Sequence, residues 1–294
     1  MNNFEKLLQS SDVIILDGAM GTMLMARGLK AGDAPEKMNL EHPDIVAEVH
    51  REYIKAGSNV ILTNTFGANR FRLKRHGLED KVRDINIAAA QLARKVTQEF
   101  DDEVVVAGDI GPSGEMLKPL GTLTFEEAFQ AFAEQAEALA NGGVDVIWIE
   151  TMSDINEVKA AVEGARSVTN LPIVATMSFE SRGRTMMGVT PEQLVELGRK
   201  YHLSAIGANC GKGPQELEIA IGKMRSFDAN INLIAKANAG IPKLVEGNLV
   251  YDGTPEVMAE HADKVSQFHV KFIGACCGST PDHIKAMVDV LKDK

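Results

Sequence analysis

Val104-Val-Val-Ala-Gly-Asp109, Thr124-Phe-Glu-Glu-Ala-Phe-Gln-Ala-Phe-Ala-Glu-Gln-Ala-Glu-Ala-Leu-Ala-Asn141 and Val146-Ile-Trp-Ile-Glu150 set the fold when read together. A β-branched run stops at an acid, an amphipathic stretch follows, and a second run stops at another acid. Thr124 with Glu127 three residues on is a capping-box start, and Gly142-Gly143 is a stop signal. Continuous apolar runs of this kind suit strands covered on both faces, so the unit reads strand, helix, parallel strand.

The same unit recurs on either side. Val13–Asp17, Val60–Thr65, Ile173–Ser178, Ala205–Cys210, Leu233–Asn238 and Phe272–Cys276 bring the runs to eight. Pro43–Ala56 opens on proline at a first-turn position and stops at Gly57. Thr190-Pro, Gly213-Pro, Thr254-Pro and Thr280-Pro each read as a cap followed by an N1 proline. Eight alternating units in 294 residues predict a single-domain α/β protein, a (β/α)8 TIM barrel over residues 1–294. An open doubly wound sheet is the alternative. No Ser/Pro-rich linker divides the chain.

A barrel carries its chemistry on the loops after the strands' C-terminal ends. Those ends hold Asp17, Thr65, Asp109, Glu150, Glu180, Cys210, Asn238 and Cys276/Cys277. All three cysteines of the chain are in that set. Their placement suggests one site with three thiolate ligands, most simply for zinc. Adjacent residues of a regular strand face opposite ways, so Cys276 and Cys277 reach one ion only where the strand has broken into a turn. Gly274 and Gly278 permit that bend. Two plainer readings stand beside this one: buried cysteines acting as small hydrophobes, and a vicinal disulfide at Cys276–Cys277.

Zinc held by three thiolates is poorly suited to activating water and well suited to taking up another thiol. A free thiol, with pKa near ~8.5, is mostly protonated at neutral pH, and metal binding removes that proton. The chemistry implied is alkyl transfer to sulfur. An amino-acid thiol also needs partners for its charges. Asp17 and Glu150 suit its ammonium, and Gly18 and Gly21 leave backbone N–H groups open to its carboxylate. A plain turn at Asp17-Gly18 and a buried ion pair at Glu150 are the competing readings. The seven histidines lie in predicted helices or loops, where surface or helix-end roles are expected. Met20, Met23, Met25 and Met186-Met187 flank the expected mouth.

The net charge of −10 argues against nucleic acid as a partner, because phosphate binding needs a basic surface. No apolar run is long enough to span a bilayer, and no signal peptide opens the chain. Three cysteines, two of them adjacent, do not form a disulfide framework, so a reducing, cytoplasmic protein is expected.

Leu16-Asp-Gly-Ala-Met-Gly-Thr22, Thr63-Asn-Thr-Phe-Gly-Ala68, Gly108-Asp-Ile-Gly-Pro-Ser-Gly114, Ile149-Glu-Thr151, Gly207-Ala-Asn-Cys210, Asn238-Ala-Gly240 and Gly274-Ala-Cys-Cys-Gly278 resemble, in order, the zinc-dependent homocysteine S-methyltransferase family. The motifs are most similar to the homocysteine-binding module of cobalamin-dependent methionine synthase. The resemblance implies that Cys210, Cys276 and Cys277 bind zinc and that homocysteine sulfur is the incoming ligand. It implies a pocket at Asp17, Gly18, Phe66 and Glu150, to which the strand ends add Thr65 and Asn238. In similar modules the asparagine matching Asn238 can fill the open zinc position before substrate arrives. Two departures spare the ligands: the family's Gly-Gly-Cys-Cys-Gly-Thr is Gly274-Ala-Cys-Cys-Gly-Ser279 here, and its Pro-Asn-Ala-Gly is Ala237-Asn-Ala-Gly240.

The expected activity is methyl transfer to homocysteine, giving methionine. Folate, cobalamin and activation modules are not part of this chain, so the methyl donor is expected from outside. A separate methyl-corrinoid protein carrying methylcobalamin is preferred, with S-methylmethionine or S-adenosylmethionine as the small-molecule alternative. Two other classes are a non-catalytic zinc or redox sensor, and a metal-free barrel using Asp109 and Glu150 as an acid–base pair.

Overall fold

Apolar runs wedged between amphipathic helices have only each other to pair with, and in the computed structural model they do so in a ring. The structure describes residues 2–10, 12–180, 182–245 and 248–292. Met1 and Lys294, the expected ends of the domain, lie outside them.

The strands are β1 (Ile14–Ile15), β2 (Val60–Leu62), β3 (Val105–Ile110), β4 (Val146–Met152), β5 (Ile173–Met177), β6 (Ala205–Cys210), β7 (Leu233–Ala237), β8 (Pro242–Val245), β9 (Asn248–Tyr251) and β10 (Phe272–Ala275). Eight of them form one parallel sheet in the order β1-β10-β7-β6-β5-β4-β3-β2. A parallel bridge from Leu16 to Val60 joins the two ends, with Asp17 N bonding Val60 O at 3.1 Å. The sheet is thus a (β/α)8 barrel, as expected, and not an open doubly wound sheet.

The helices are α1 (Asn3–Ser10), α2 (Met20–Met25), α3 (Met38–Glu41), α4 (Pro43–Ala56), α5 (Arg70–Lys74), α6 (Val82–Thr97), α7 (Phe125–Gly142), α8 (Ile155–Val168), α9 (Pro191–Lys200), α10 (Pro214–Phe227), α11 (Pro255–Ser266) and α12 (Pro281–Leu291). The start signals act as read. The Thr124 side chain accepts from Glu127 N while the Glu127 carboxylate accepts from Thr124 N. Proline opens α9, α10, α11 and α12. The threonine caps at Thr124, Thr190 and Thr254 satisfy helix-end N–H groups that otherwise lack partners, each worth about 1 kcal/mol.

Alternation along the strands divides the core in two. Outward-facing strand residues pack under the helices. Inward-facing ones, among them Leu16, Leu62, Val105, Ala107, Val146, Trp148, Val174, Ala205, Ile234 and Phe272, fill the barrel. Phe4 of α1 joins that inner cluster and stacks on Phe272, with ring centroids 5.7 Å apart. An aromatic residue therefore plugs the end of the barrel remote from the strands' C-termini.

Three features differ from the reading of the sequence. The antiparallel hairpin β8–β9 is inserted between β7 and α11. The eight-unit pattern placed no strand between Asn238 and the cap at Thr254. The strand expected over Val60–Thr65 ends at Leu62, and Thr65 N turns back to Thr63 O at 2.8 Å, which takes the backbone out of the ladder. Three histidines are buried: His50 and His261, contrary to the surface or helix-end roles expected, and His283, which takes a helix-end role in the capping box of α12. His261 Nδ1 lies 2.8 Å from Glu218, and His283 Nε2 lies 2.9 Å from Gly253 O. A helix wrapped around a barrel buries one whole face, so helical placement does not mean exposure.

Candidate metal and substrate site

Two strand ends supply the sulfurs. β6 runs to Cys210, whose φ of 61° and that of Gly211 at 70° turn the chain back at once. β10 stops at Ala275, and Cys276 and Cys277 follow in a turn. Ser279 holds that turn: its N and Oγ both donate to Cys276 O, at 3.2 and 2.8 Å. Gly278 completes it at φ 81°, and its bare Cα leaves room for the Tyr251 ring from β9. The turn lets successive residues face one point, which a regular strand forbids.

The three sulfurs lie within 4.8 Å of one another, with Cys210 Sγ and Cys277 Sγ at 3.8 Å. All three are free thiols, so the vicinal disulfide is not formed. Zn–S bonds of about 2.3 Å at tetrahedral angles separate two sulfurs by about 3.8 Å. The donor set suits zinc, and the Cys210–Cys277 separation matches that spacing. Hydrogen bonds from Cys210 and Cys276 hold the Cys277 thiol well below the usual range, while those to Cys276 and Cys277 hold Cys210 well above it. The Tyr251 phenol also hydrogen-bonds to Cys277.

One layer deeper lies a charge cluster. Asp109, Glu150, Asn209, Lys236 and Cys276 share the inward parity of Ala107, Trp148, Ala205, Ile234 and Phe272. Lys236 Nζ lies 3.5 Å from Asp17 Oδ1 and 3.3 Å from Glu150 Oε2, and all three side chains are at most 7% exposed. Asp17 Oδ2 accepts from Leu62 N at 2.8 Å. Burial raises the Asp17 carboxyl to about 6 against the pull of Lys236. Burial, then the Glu150 charge, raises Asp109 well above the carboxylate range. Burial raises Glu150 likewise. Lys236 goes the other way. Burial pulls it down, but Glu150 and Asp17 more than offset that and hold it firmly protonated. Three carboxyl groups therefore face one internal ammonium. The plain reading of Glu150 as an ion-paired group is met in part, and the cluster keeps an excess of acid.

The remaining expected residues divide. A Cβ on Gly18 would sit 2.8 Å from the Tyr53 hydroxyl, so this close approach requires glycine. A Cβ on Gly21 would meet nothing within 4 Å. Phe66 is half-buried, with the Arg72 guanidinium 5.4 Å from its ring centroid. Thr65 is fully buried, and its hydroxyl donates to Asp109 O at 2.7 Å, so its polar group is spent on the scaffold. Asn238 donates from Nδ2 to Gly211 O at 2.8 Å, beside Cys210. Its buried Oδ1 has no hydrogen-bond partner among the described residues.

Three neighbours of the site escaped the sequence reading: Lys236, Asn209 and Tyr251. Lys236 was signalled by a lone cation in Leu233-Ile-Ala-Lys-Ala237. Asn209 was signalled by its polarity at an inward position and by its place in the Gly207-Ala-Asn-Cys210 motif, without a role of its own. Nothing marked Tyr251, since its hairpin was not anticipated.

Comparison with known proteins accords with this geometry. The homocysteine S-methyltransferase family profile matches residues 14–291. Methionine synthase from Mycobacterium leprae is 32% identical over 288 residues, covering 93% of this chain and 24% of that protein. The chain thus spans about a quarter of the length of that relative. The homocysteine methyltransferase MmuM from Escherichia coli, in its oxidized form, superposes with a TM-score of 0.82 at 26% identity, covering 98% of this chain and 99% of that one. Its metallated form gives 0.81 at 25% identity, covering 97% and 99%.

Proposed function

The chain belongs to the homocysteine S-methyltransferase family, and on that premise we propose that it transfers a methyl group to the sulfur of L-homocysteine, giving methionine. The observation that carries the reading is the stacking of two sites of matching chemistry: three convergent sulfurs at the barrel mouth and an acid-rich cluster one layer below. A thiol and an ammonium on one small molecule answer both.

Cys210, Cys276 and Cys277 would hold the zinc, and Asn238, whose Oδ1 is unspent and whose Nδ2 bonds Gly211 O beside Cys210, offers an internal oxygen ligand. Zinc, when bound, deprotonates a thiol ligand and keeps it as a thiolate at neutral pH. Asp17 and Glu150 orient the substrate ammonium. Lys236 holds Asp17 and Glu150 in place, and Asp109, whose carboxyl burial raises well above the carboxylate range, adds a third acidic group to the pocket. Tyr53 and Ser279 wall the pocket against Gly18. The same reading puts the protein in the cytoplasm, where thiols stay reduced. No helix among the described residues is long and apolar enough to cross a membrane.

For the methyl donor we favour a methyl-corrinoid protein. The likeness to methionine synthase and the motif resemblance to its homocysteine-binding module support this over a small sulfonium donor. The test is turnover on zinc-loaded protein with each donor in turn. Methionine should form, about one zinc should be bound per chain, and Cys210→Ser should abolish both. Metal binding without methyl transfer from any donor would leave the sensor reading instead. Protein that purifies without metal and is indifferent to Cys210→Ser would leave the acid–base reading.

A further inference from the structure

Asn209 is the last inward residue of β6 before Cys210 and is 1% exposed. Its amide is fully committed. Oδ1 accepts from Thr151 N at 2.8 Å and from Thr176 Oγ1 at 2.6 Å. Nδ2 donates to Thr151 Oγ1 at 2.7 Å and to Cys276 Sγ at 3.9 Å. Two acceptor and two donor positions are all that a carboxamide offers. The partners sit on β4, on β5 and just past β10, so one side chain ties four strand ends together.

Two of those bonds hold an unusual backbone. Thr151 has φ 62°, a left-handed conformation that a β-branched residue adopts only when its surroundings impose it. The β4–β5 register shifts between Ile149 and Met152. Glu150 and Thr151 are thus the bulged pair, and bulges beside active sites re-aim side chains. Asn209 grips the second residue of the bulge by N–H and hydroxyl. The first residue, Glu150, is the one aimed at Lys236. The remaining amide hydrogen goes to a sulfur of the metal site. An N–H donor on a thiolate withdraws electron density and weakens its donation to the metal, which makes the metal a better acceptor for a further thiol.

We propose that Asn209 is a positioning residue that couples the two halves of the site, aiming Glu150 at the amino group while tempering the Cys276 sulfur that helps to capture the thiol. The coupling half rests on the homocysteine reading above; the sulfur half does not. Any acceptor thiol lacking the amino group then loses more than one ion pair, because the group that places the carboxylate also sets the sulfur.

The test uses the full chain as wild type, N209A and N209D. N209D keeps the shape and both bonds to Oδ1 but replaces the donors by a second acceptor oxygen and, when ionised, adds a negative charge; N209A removes the donors without adding charge, so a change shared by both variants reports the lost N–H. Each is loaded with cobalt(II), and the sulfur-to-cobalt charge-transfer absorption is recorded without substrate. Loss of the N–H donor should move the band to longer wavelength in both variants. Metal-dependent binding of homocysteine and of 4-mercaptobutyrate, the same thiol acid without the amino group, is then compared. The preference for homocysteine should fall roughly tenfold or more in the variants. Unchanged bands would overturn the sulfur role, and an unchanged preference would overturn the coupling. A wild type that binds metal yet prefers neither thiol would sink the homocysteine reading and the coupling with it, leaving the band shift to decide the sulfur role alone.

Discussion

Lys236 sets the working charge of its neighbours, so its loss should be felt through them. Removing one partner of a buried ion pair costs about 3–5 kcal/mol, because the other is left uncompensated. In Lys236→Met the carboxyls of Asp17 and Glu150 lose the cation that opposes their burial. Already raised to about 6, Asp17 binds a proton in the folded state at pH values where the unfolded chain does not. Its contribution to stability is therefore present at low pH and lost as pH rises through the folded value. K236M should extend that loss to higher pH, so urea denaturation should show a larger deficit at pH 8 than at pH 5. His50 has the opposite sign. It lies fully buried in α4, neither ring nitrogen has a partner among the described residues, and burial lowers it to about 4. Its neutral form favours the fold above pH ~6.5, and that gain disappears as pH falls through 4. The swing is about 3 kcal/mol from the size of the shift. His50→Leu should flatten the melting temperature between pH 7 and pH 4; an unchanged acid limb would mean that other groups drive acid unfolding.

Among the elements, α1 offers the cleanest separation of fold from site. Phe4 plugs the barrel end opposite the cysteines and stacks on Phe272, which Trp148 meets edge-on at 5.9 Å. Phe4→Ala should cost about 3 kcal/mol through the cavity left behind. Metal content should stay at wild-type levels, since the link from that layer to the site runs through Trp148 to Glu150 rather than to a cysteine; a loss of bound metal would refute this division. What could be read in advance follows the same physics. Strands buried on both faces leave unbroken apolar runs, and helices that start at Thr-Pro announce their caps, so β2 to β7, β10 and α9 to α12 were visible as units. The runs alone did not reveal which residues face inward, and the barrel mouth inverts the usual rule by making inward positions polar. Lys236 therefore passed as an oddity within an apolar strand, and Asn209 passed as the neighbour of a cysteine. Tyr251 depended on an insertion that interrupts the repeat. Cys210, Cys276 and Cys277 could be singled out because three rare residues fell at the ends of two strands, a coincidence that the barrel geometry turns into proximity.

At the scale of the molecule, the location of the exposed apolar side chains bears on the donor. Met25, Met116, Leu120, Met186, Ile241 and Val250 are each at least 48% exposed, and all lie in segments that follow β1, β3, β5 or β7. In a parallel barrel every such segment emerges on one face, the face that carries the three cysteines. Exposed methionine and leucine around a reactive mouth form the kind of surface that a partner covers. A small sulfonium donor needs only the pocket, whereas a corrin held on a protein must be brought down onto the rim before its methyl group can reach sulfur. The two donor classes therefore respond differently to charge placed on the rim. Leu120→Glu and Met186→Glu, at 67% and 76% exposure, bury nothing in the free protein and should leave its melting temperature within about 0.5 kcal/mol equivalent of wild type. Homocysteine binding to the zinc-loaded variants should also be unchanged. Methyl transfer from a corrinoid protein should slow about tenfold, the effect of roughly 1.4 kcal/mol lost at a contact surface, while transfer from free methylcobalamin keeps its rate. Equal rates from both donors in the double variant would show that no protein docks on this rim, and S-methylmethionine and S-adenosylmethionine would then become the donors to pursue.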